Sequence, residues 1–223
     1  MVGRLSRRQR IGVLISGRGS NLGSLISATH SINFPAEISL VISNNPNAPG
    51  LAFAARAGIA SKVINHRTFT NRPDFETAMT ASLENAGVEL VCNAGFMRLL
   101  TAKFVEHWRN RQLNIHPSLL PAYRGLHTHE RVLKDGARVT GCSVHFVRQN
   151  MDEGPIVAQA AVPVLSSDDA ETLSARVLKA EHQLYPHALR LVASGQVRVE
   201  GEKVVGSNGP AAAPLFSPSL DIS

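Results

Sequence analysis

The fold of this chain is indicated by one stretch near its start, Ile11-Gly12-Val13-Leu14-Ile15-Ser16-Gly17-Arg18-Gly19-Ser20-Asn21. Its first five residues form a short apolar run bounded by turn residues, as buried parallel strands do. The two glycines that follow permit a tight turn, and Ser20 and Asn21 are residue types that often cap a helix. The stretch therefore predicts a strand, a glycine turn and a helix in direct succession.

The same alternation continues through the first half of the chain. Two more short apolar runs predict strands at Glu37–Ser43 and Val88–Cys92. Helix-like segments occupy the intervals, at Leu22–Ala28, Leu51–Ala57 and Asp74–Ala86. Strands that alternate with helices form parallel sheets whose faces are covered by helices. We therefore predict an α/β protein with an open, mostly parallel, Rossmann-like sheet and helices on both faces.

The second half of the chain has a different pattern. Leu113–Tyr123 contains two prolines and no period, which predicts a rigid loop after a short strand. Val139–Val147 and Ile156–Val164 are interpreted as two paired strands, and Asp168–Leu191 as a long amphipathic helix. Pro186 is expected to kink this helix or to mark a second start. Val197–Val205 is interpreted as a small terminal hairpin.

The chain is predicted to contain one catalytic domain with an extension at each end. Residues 1–10 form a basic N-terminal arm, residues 11–205 form the domain, and residues 206–223 form a flexible C-terminal tail rich in Ser, Pro and Ala. The net charge is +6, but the arm alone contributes four arginines and no acid. Because the remaining charge is nearly balanced and aromatic residues are only 5%, the sequence argues against a nucleic-acid partner.

Composition also bounds the class of protein and its compartment. The chain has 223 residues, 43% of them hydrophobic and 18% charged, as in ordinary globular proteins. No run approaches the ~18 apolar residues that a membrane span requires. The apolar run Ile11–Ile15 is too short for the core of a signal peptide. We therefore expect a cytoplasmic protein that does not bind a membrane.

The glycine turn is the first candidate for chemistry. Backbone N–H groups at a helix N-terminus favour a phosphate. A dinucleotide fingerprint would need a third glycine at Leu22, and Gly23 misses that position by one residue. Nor does an acid end the second strand, since Glu37 begins it. The turn slightly favours a phosphate site for a mononucleotide-sized ligand; the alternative is a plain turn capped by Ser20 or Asn21.

A second candidate pairs an amide with an imidazole. Asn114 and His116 project to the same side of an extended segment, because side chains alternate along a strand. Such a pair can polarise a carbonyl group and shuttle a proton. Asp152 lies in the turn Asp152–Pro155, whose simplest interpretation is structural. If that turn approaches His116, however, Asp152 is expected to raise the pKa of the imidazole.

Metal binding has weaker support in the sequence. His127 and His129 form a His-x-His pair, but no carboxylate or cysteine completes it at the usual spacing. Cys92 and Cys142 do not lie in a metal-ligand spacing either. We therefore take the two histidines as surface or pocket residues and expect no metal.

Taken together, these segments resemble the phosphoribosylglycinamide formyltransferase family, over about Ile11 to Val205. The matching segments are Leu14–Leu22, Ala94–Leu100, Asn114–Pro121, Gly125–His129, Ser143–Val147 and Asp152–Pro155. The resemblance implies the formyltransferase fold. It also implies transfer of a formyl group from 10-formyltetrahydrofolate, as cosubstrate, to the amine of glycinamide ribonucleotide in purine biosynthesis, without a metal.

The resemblance also assigns roles to individual residues. It implies that His116 is the general acid, that Asp152 raises the pKa of His116, and that Asn114 contacts the formyl group. The residues implied for glycinamide ribonucleotide are Gly19, Ser20, Asn21 and Glu181. Those implied for the folate are Arg72, Met97, Arg98, Leu99, Leu100 and Asn114.

Three other functions remain open at this point. Methionyl-tRNA formyltransferase is similar at Leu119–Gly125, but that family adds a C-terminal RNA-binding domain. Formyltetrahydrofolate deformylase would transfer the formyl group to water, and it carries an N-terminal regulatory domain. A non-catalytic nucleotide or nucleic-acid binder would explain the arm and the glycine turn but would leave Asn114, His116 and Asp152 without a role. The oligomeric state is open, with a homodimer among the options.

Overall fold

The computed structural model describes residues 7–206 and Ser217, and its centre is a seven-stranded sheet. Its strands are β1 (Gln9–Ile15), β2 (Ala36–Ser43), β3 (Ser61–Val63), β4 (Leu90–Asn93), β5 (Gln112–His116), β6 (Val139–Phe146) and β7 (Ile156–Pro163). Their order is β3-β2-β1-β4-β5-β6-β7. The strands from β3 to β5 pair in parallel, whereas β6 pairs antiparallel with both β5 and β7.

Helices cover both faces of this sheet, so the predicted fold class is confirmed. They are α1 (Ser20–Thr29), α2 (Leu51–Arg56), α3 (Arg72–Asn85), α4 (Ala102–His107), α5 (Thr128–Lys134) and α6 (Ala170–Ala193). One core cluster includes residues of α1, α2, α5 and α6, and the other includes residues of α3 and α4. β1 contributes residues to both clusters, because Val13 and Leu14 point to opposite faces of the sheet.

Most predicted elements are present, with three additions and two corrections. The first four residues of the predicted loop Leu113–Tyr123 belong to strand β5, and the second correction concerns Pro186. The sequence pattern does not predict β3, α4 and α5, because their three, six and seven residues are too few to display a clear period. Pro186 does not mark a second start, since α6 is one helix from Ala170 to Ala193. Tyr185 and Leu189 flank the proline and are fully buried in the core, so packing outweighs the local penalty.

The ends of the predicted domain are only partly within the structure. β1 begins at Gln9, and the Arg8 guanidinium donates to the carbonyl oxygens of Phe34, Ala36 and Thr29, so the end of the predicted arm packs against the domain. The predicted hairpin is confirmed as β8 (Val197–Glu200) and β9 (Lys203–Gly206). Residues 1–6 of the arm and residues 207–216 and 218–223 of the predicted tail lie outside the described residues. Within the described chain, no helix is long and apolar enough to cross a bilayer.

Candidate active site

The predicted site segments meet at the carboxyl edge of the parallel strands. The segment after β4 returns to the turn after β1, where Ser16 N–H donates to Gly95 O at 3.2 Å. Met97 N–H donates to Ser16 Oγ at 2.8 Å. His116 is the last residue of the neighbouring strand β5. Ligands of open α/β sheets bind at this edge, so the fold brings these segments to the expected place.

The glycine turn has a shape that only glycine fits well. Gly19 has φ +72°, and a Cβ added there would lie 2.6 Å from the Cα of Gly50. Gly50 is itself held to the turn by a hydrogen bond of 3.0 Å from its N–H to Gly17 O. Gly19 is the N-cap of α1 and no side chain among the described residues caps this helix, so the alternative of a cap by Ser20 or Asn21 is wrong. The first N–H groups of α1 therefore stay available to an anion.

Asn21 and Glu181 form a buried pair between α1 and α6. Asn21 Nδ2 donates to Glu181 Oε2 at 2.7 Å. Burial raises the pKa of the Glu181 carboxyl group, and the hydrogen bond from Asn21 opposes this shift only in part. The structure thus brings together two residues that are 160 positions apart in the sequence. Asn21 is the second residue of α1 and follows the glycine turn directly, so the pair lies beside that turn.

His116 and Asp152 form the expected pair. Nδ1 of His116 is 3.3 Å from Oδ2 of Asp152, with side-chain exposures of 7% and 8%. Nε2 of His116 donates to Tyr123 O at 2.9 Å. Burial lowers the pKa of His116, and it outweighs the opposite effects of Tyr123 O and Asp152. The expectation of a raised pKa is therefore wrong for the net shift, although the contribution of Asp152 has the expected sign.

Asp152 is held as an ionised carboxylate. Burial alone would raise its pKa, but the nearby His145, the hydrogen bond from Gly125 N–H and the nearby His116 hold the pKa below its ordinary value. The bond from Gly125 N–H to Oδ2 is 2.9 Å long. Asp152 also has φ +56°, a left-handed conformation that is uncommon for a residue other than glycine. The loop thus holds a strained residue so that its carboxylate faces His116.

His145 is a site residue to which the sequence pattern assigned no role. It lies directly opposite Asn114 in the antiparallel pairing of β5 and β6. Its Nε2 is 3.3 Å from Asn114 Nδ2 and 3.6 Å from Asp152 Oδ1. His145 therefore connects the predicted amide to the predicted carboxylate. The matching segment Ser143–Val147 was the only signal for it, because the strand register is not readable from the sequence.

The predicted folate segment follows β4 and is exposed. Met97 and Leu99 are 72% and 59% exposed, so neither side chain is part of the core. Arg98 is exposed too, whereas Leu100 is partly buried against the core cluster of α3 and α4. Arg72 is the first residue of α3, and it is exposed.

Residues 9–189 match the family model described as formyl transferase. The chain belongs to the formyl transferase family. A trifunctional purine biosynthetic protein of Homo sapiens is 49% identical over 91% of this chain, which spans about a fifth of that relative's length. A phosphoribosylglycinamide formyltransferase of Haemophilus influenzae is 41% identical, over 86% of this chain and 91% of its own.

A solved structure also resembles this formyl transferase. It is a glycinamide ribonucleotide transformylase of Symbiobacterium toebii, with a TM-score of 0.88 and 43% identity. The match covers 91% of this chain and 96% of the other. The family resemblance that the sequence motifs indicate is therefore confirmed.

The two histidines of the His-x-His pair lie at the start of α5 in this formyl transferase. The His127 side chain is 76% exposed, and it is 3.7 Å from Glu130. His129 is partly buried, and burial lowers its pKa. Among residues 7–206, no three His, Cys, Asp or Glu side chains come together as a group that could hold a metal ion.

Proposed function

We propose that this formyl transferase moves the formyl group of 10-formyltetrahydrofolate to the amine of glycinamide ribonucleotide in purine biosynthesis. One observation carries the proposal: the connected side chains of Asn114, His145, Asp152 and His116 lie at the sheet edge where the glycine turn and the exposed segment Met97–Leu100 also meet. The names of the relatives support the same reaction.

The reaction needs little beyond these groups. The substrate amine attacks the formyl carbon, and the carbonyl oxygen gains negative charge in a tetrahedral intermediate. The bond from the carbon to the folate nitrogen then breaks, and that nitrogen takes up the proton that the amine loses. The amide of Asn114 is suited to donate a hydrogen bond to the developing oxyanion, and a protonated His116 to act as the general acid.

The role proposed for His116 must fit the contacts of its two ring nitrogens. Its Nε2 donates to Tyr123 O, so use of that nitrogen as an acid requires exchange of this hydrogen bond for one with the substrate. Its Nδ1 faces Asp152, an ionised carboxylate that stabilises the imidazolium form. Because burial lowers the pKa of His116, we infer that Asp152 offsets part of this effect rather than raising the pKa above its ordinary value.

The binding roles divide along the same edge. For glycinamide ribonucleotide we propose that the uncapped N-terminus of α1 receives the phosphate, and that Glu181 accepts from the ribose. The residues proposed to surround the phosphate are Gly19, Ser20 and Asn21. For the folate we propose a cationic and apolar surface made of Arg72, Met97, Arg98, Leu99 and Leu100, with Asn114 at the formyl group. We also propose that the protein works in the cytoplasm on these small molecules.

The direct test is a formyl-transfer assay with 10-formyltetrahydrofolate and three acceptors. We expect turnover with glycinamide ribonucleotide and only background with water or with aminoacylated initiator tRNA. A rate with water equal to the rate with glycinamide ribonucleotide would favour a deformylase. Transfer to the tRNA alone would reject the proposed acceptor.

A further inference from the structure

Glu76 is a buried carboxylate outside the proposed chemistry. It lies on α3, close in sequence to the core residues Phe75 and Met79, and is 3% exposed. Both of its oxygens accept hydrogen bonds from Thr101: Oε1 from the backbone N–H at 2.8 Å, and Oε2 from the hydroxyl group. A buried carboxylate is stable only if such bonds replace its lost hydration, so this contact constrains Thr101 closely.

Thr101 is the last residue of the segment that leads from β4 to α4. The segment is held near its start by the hydrogen bond from Met97 N–H to Ser16 Oγ. It is held at its end by Glu76, and Thr101 Oγ1 also caps α4 through Phe104 N–H at 3.4 Å. The exposed residues Arg98 and Leu99 lie between these two attachments, so their position depends on both.

Glu76 also relates this segment to Arg72. The two residues are four positions apart on α3, and residues at this spacing lie on the same side of a helix, one turn apart. The carboxylate that holds Thr101 is therefore placed one turn from the predicted cation. A single helix turn sets the distance between Arg72 and the end of the exposed segment.

We propose that Glu76 is a positioning residue for the folate cosubstrate, because it holds Met97–Leu100 in place relative to Arg72. The inference rests on the proposed function, and it adds a residue that does not itself touch the substrate. It predicts an effect on folate binding alone. In the part of the chain that the structure describes, the glycine turn and the Asn21–Glu181 pair, which are proposed for the other substrate, share no hydrogen bond with Glu76.

The test is steady-state kinetics on Glu76→Ala and Glu76→Gln. For Glu76→Ala we expect the KM for 10-formyltetrahydrofolate to rise about tenfold, because both hydrogen bonds of a charged acceptor are lost. The kcat and the KM for glycinamide ribonucleotide should stay within about twofold of the parent. Glu76→Gln keeps one acceptor oxygen for Thr101 N–H and should recover part of the affinity. The control is Glu84→Ala, an exposed residue of the same helix whose carboxylate contacts His107.

A second pair of variants tests the same contact from the other side. Thr101→Ser keeps the hydroxyl donor and should behave like the parent. The nearly isosteric Thr101→Val loses only the hydroxyl bond and keeps the bond from its backbone N–H, so it should lose part of the folate affinity even if Glu76→Ala does not fold. Equal losses for both substrates, or an unchanged folate KM in Thr101→Val, would overturn the inference. Tetrahydrofolate binding by calorimetry separates it from the proposed function: absence of formyl transfer in a parent that binds tetrahydrofolate overturns the function alone.

Discussion

Nδ1 of His116 lies 3.3 Å from Oδ2 of Asp152, and burial of this pair lowers the pKa of the imidazole while the carboxylate stays ionised. The relationship has a direct consequence for the proposed general-acid step. Without an anionic neighbour, a buried histidine would have a still lower pKa, because burial disfavours its charged form. Asp152 therefore preserves the fraction of His116 that is protonated, which is the form that a general acid needs.

Asp152→Asn removes the charge and keeps the shape of the side chain. We expect kcat to fall by about 10²–10⁴-fold, with folding and substrate binding retained. His116→Ala should cost at least as much. The double variant should be only slightly slower than the worse single variant, since the two residues act as a unit. The measurement is a double-mutant cycle on kcat, with binding followed by calorimetry.

The matched control for this cycle is Glu153→Gln. Glu153 is the next residue, and it forms an exposed ion pair with Arg124 at 2.5 Å. Its loss should leave kcat nearly unchanged. Additive effects of Asp152→Asn and His116→Ala, or a near-normal kcat of Asp152→Asn, would mean that Asp152 is only a turn residue.

Gly19→Ala should weaken the binding of glycinamide ribonucleotide selectively. A left-handed conformation costs a residue with a Cβ about 1–2 kcal/mol, and the new Cβ would lie 2.6 Å from the Cα of Gly50. We expect the KM for this substrate to rise while folate binding is retained. Gly58→Ala is the control, because Gly58 also has positive φ but has no atom within 4 Å of the added Cβ. Equal losses for both substrates in Gly19→Ala would contradict the assignment of the turn.

Glu181 should make the stability of the protein depend on pH. Its pKa in the folded protein is raised above the ordinary value of 4.5, mainly by burial. The folded state therefore binds its proton more tightly than the unfolded state does. The stabilising contribution is complete below about pH 4.5 and is lost as the pH rises through the raised pKa.

Glu181→Gln removes this dependence. We expect the unfolding free energy of the variant, relative to the parent, to increase as the pH rises from 4 towards 8, as measured by denaturant titration. The exposed Glu171 of the same helix gives the control Glu171→Gln. A difference between parent and Glu181→Gln that does not change with pH would show that the carboxylate titrates normally.

His145→Leu should reduce turnover although His145 is not expected to touch substrate. The contact with His145 helps to hold the pKa of Asp152 down, so its loss should move that pKa upward. The acid limb of the kcat profile should shift to higher pH, and kcat at neutral pH should fall about tenfold. His145→Gln keeps a donor and should restore part of the rate. An unshifted profile in His145→Leu would argue for a purely structural histidine.

The sequence by itself determined the class of fold and most of the candidate site. The run Ile11–Ile15, followed by the glycine turn, has the local pattern of a strand that enters a helix, and local patterns suffice where each element carries its own period. Asn114 and His116 could be paired because side chains alternate along one strand. The motifs added the roles proposed for Asp152 and Glu181, which no local pattern would assign.

Only the tertiary structure decided the relationships that join distant segments. His145 faces Asn114 because of the register of β5 and β6, and Glu76 reaches Thr101 because α3 packs beside the end of the segment after β4. The pKa of His116 is lower than its ordinary value, because the effect of burial outweighs the opposite effect of Asp152. Register and burial arise when the whole chain packs, so no single stretch of sequence encodes them.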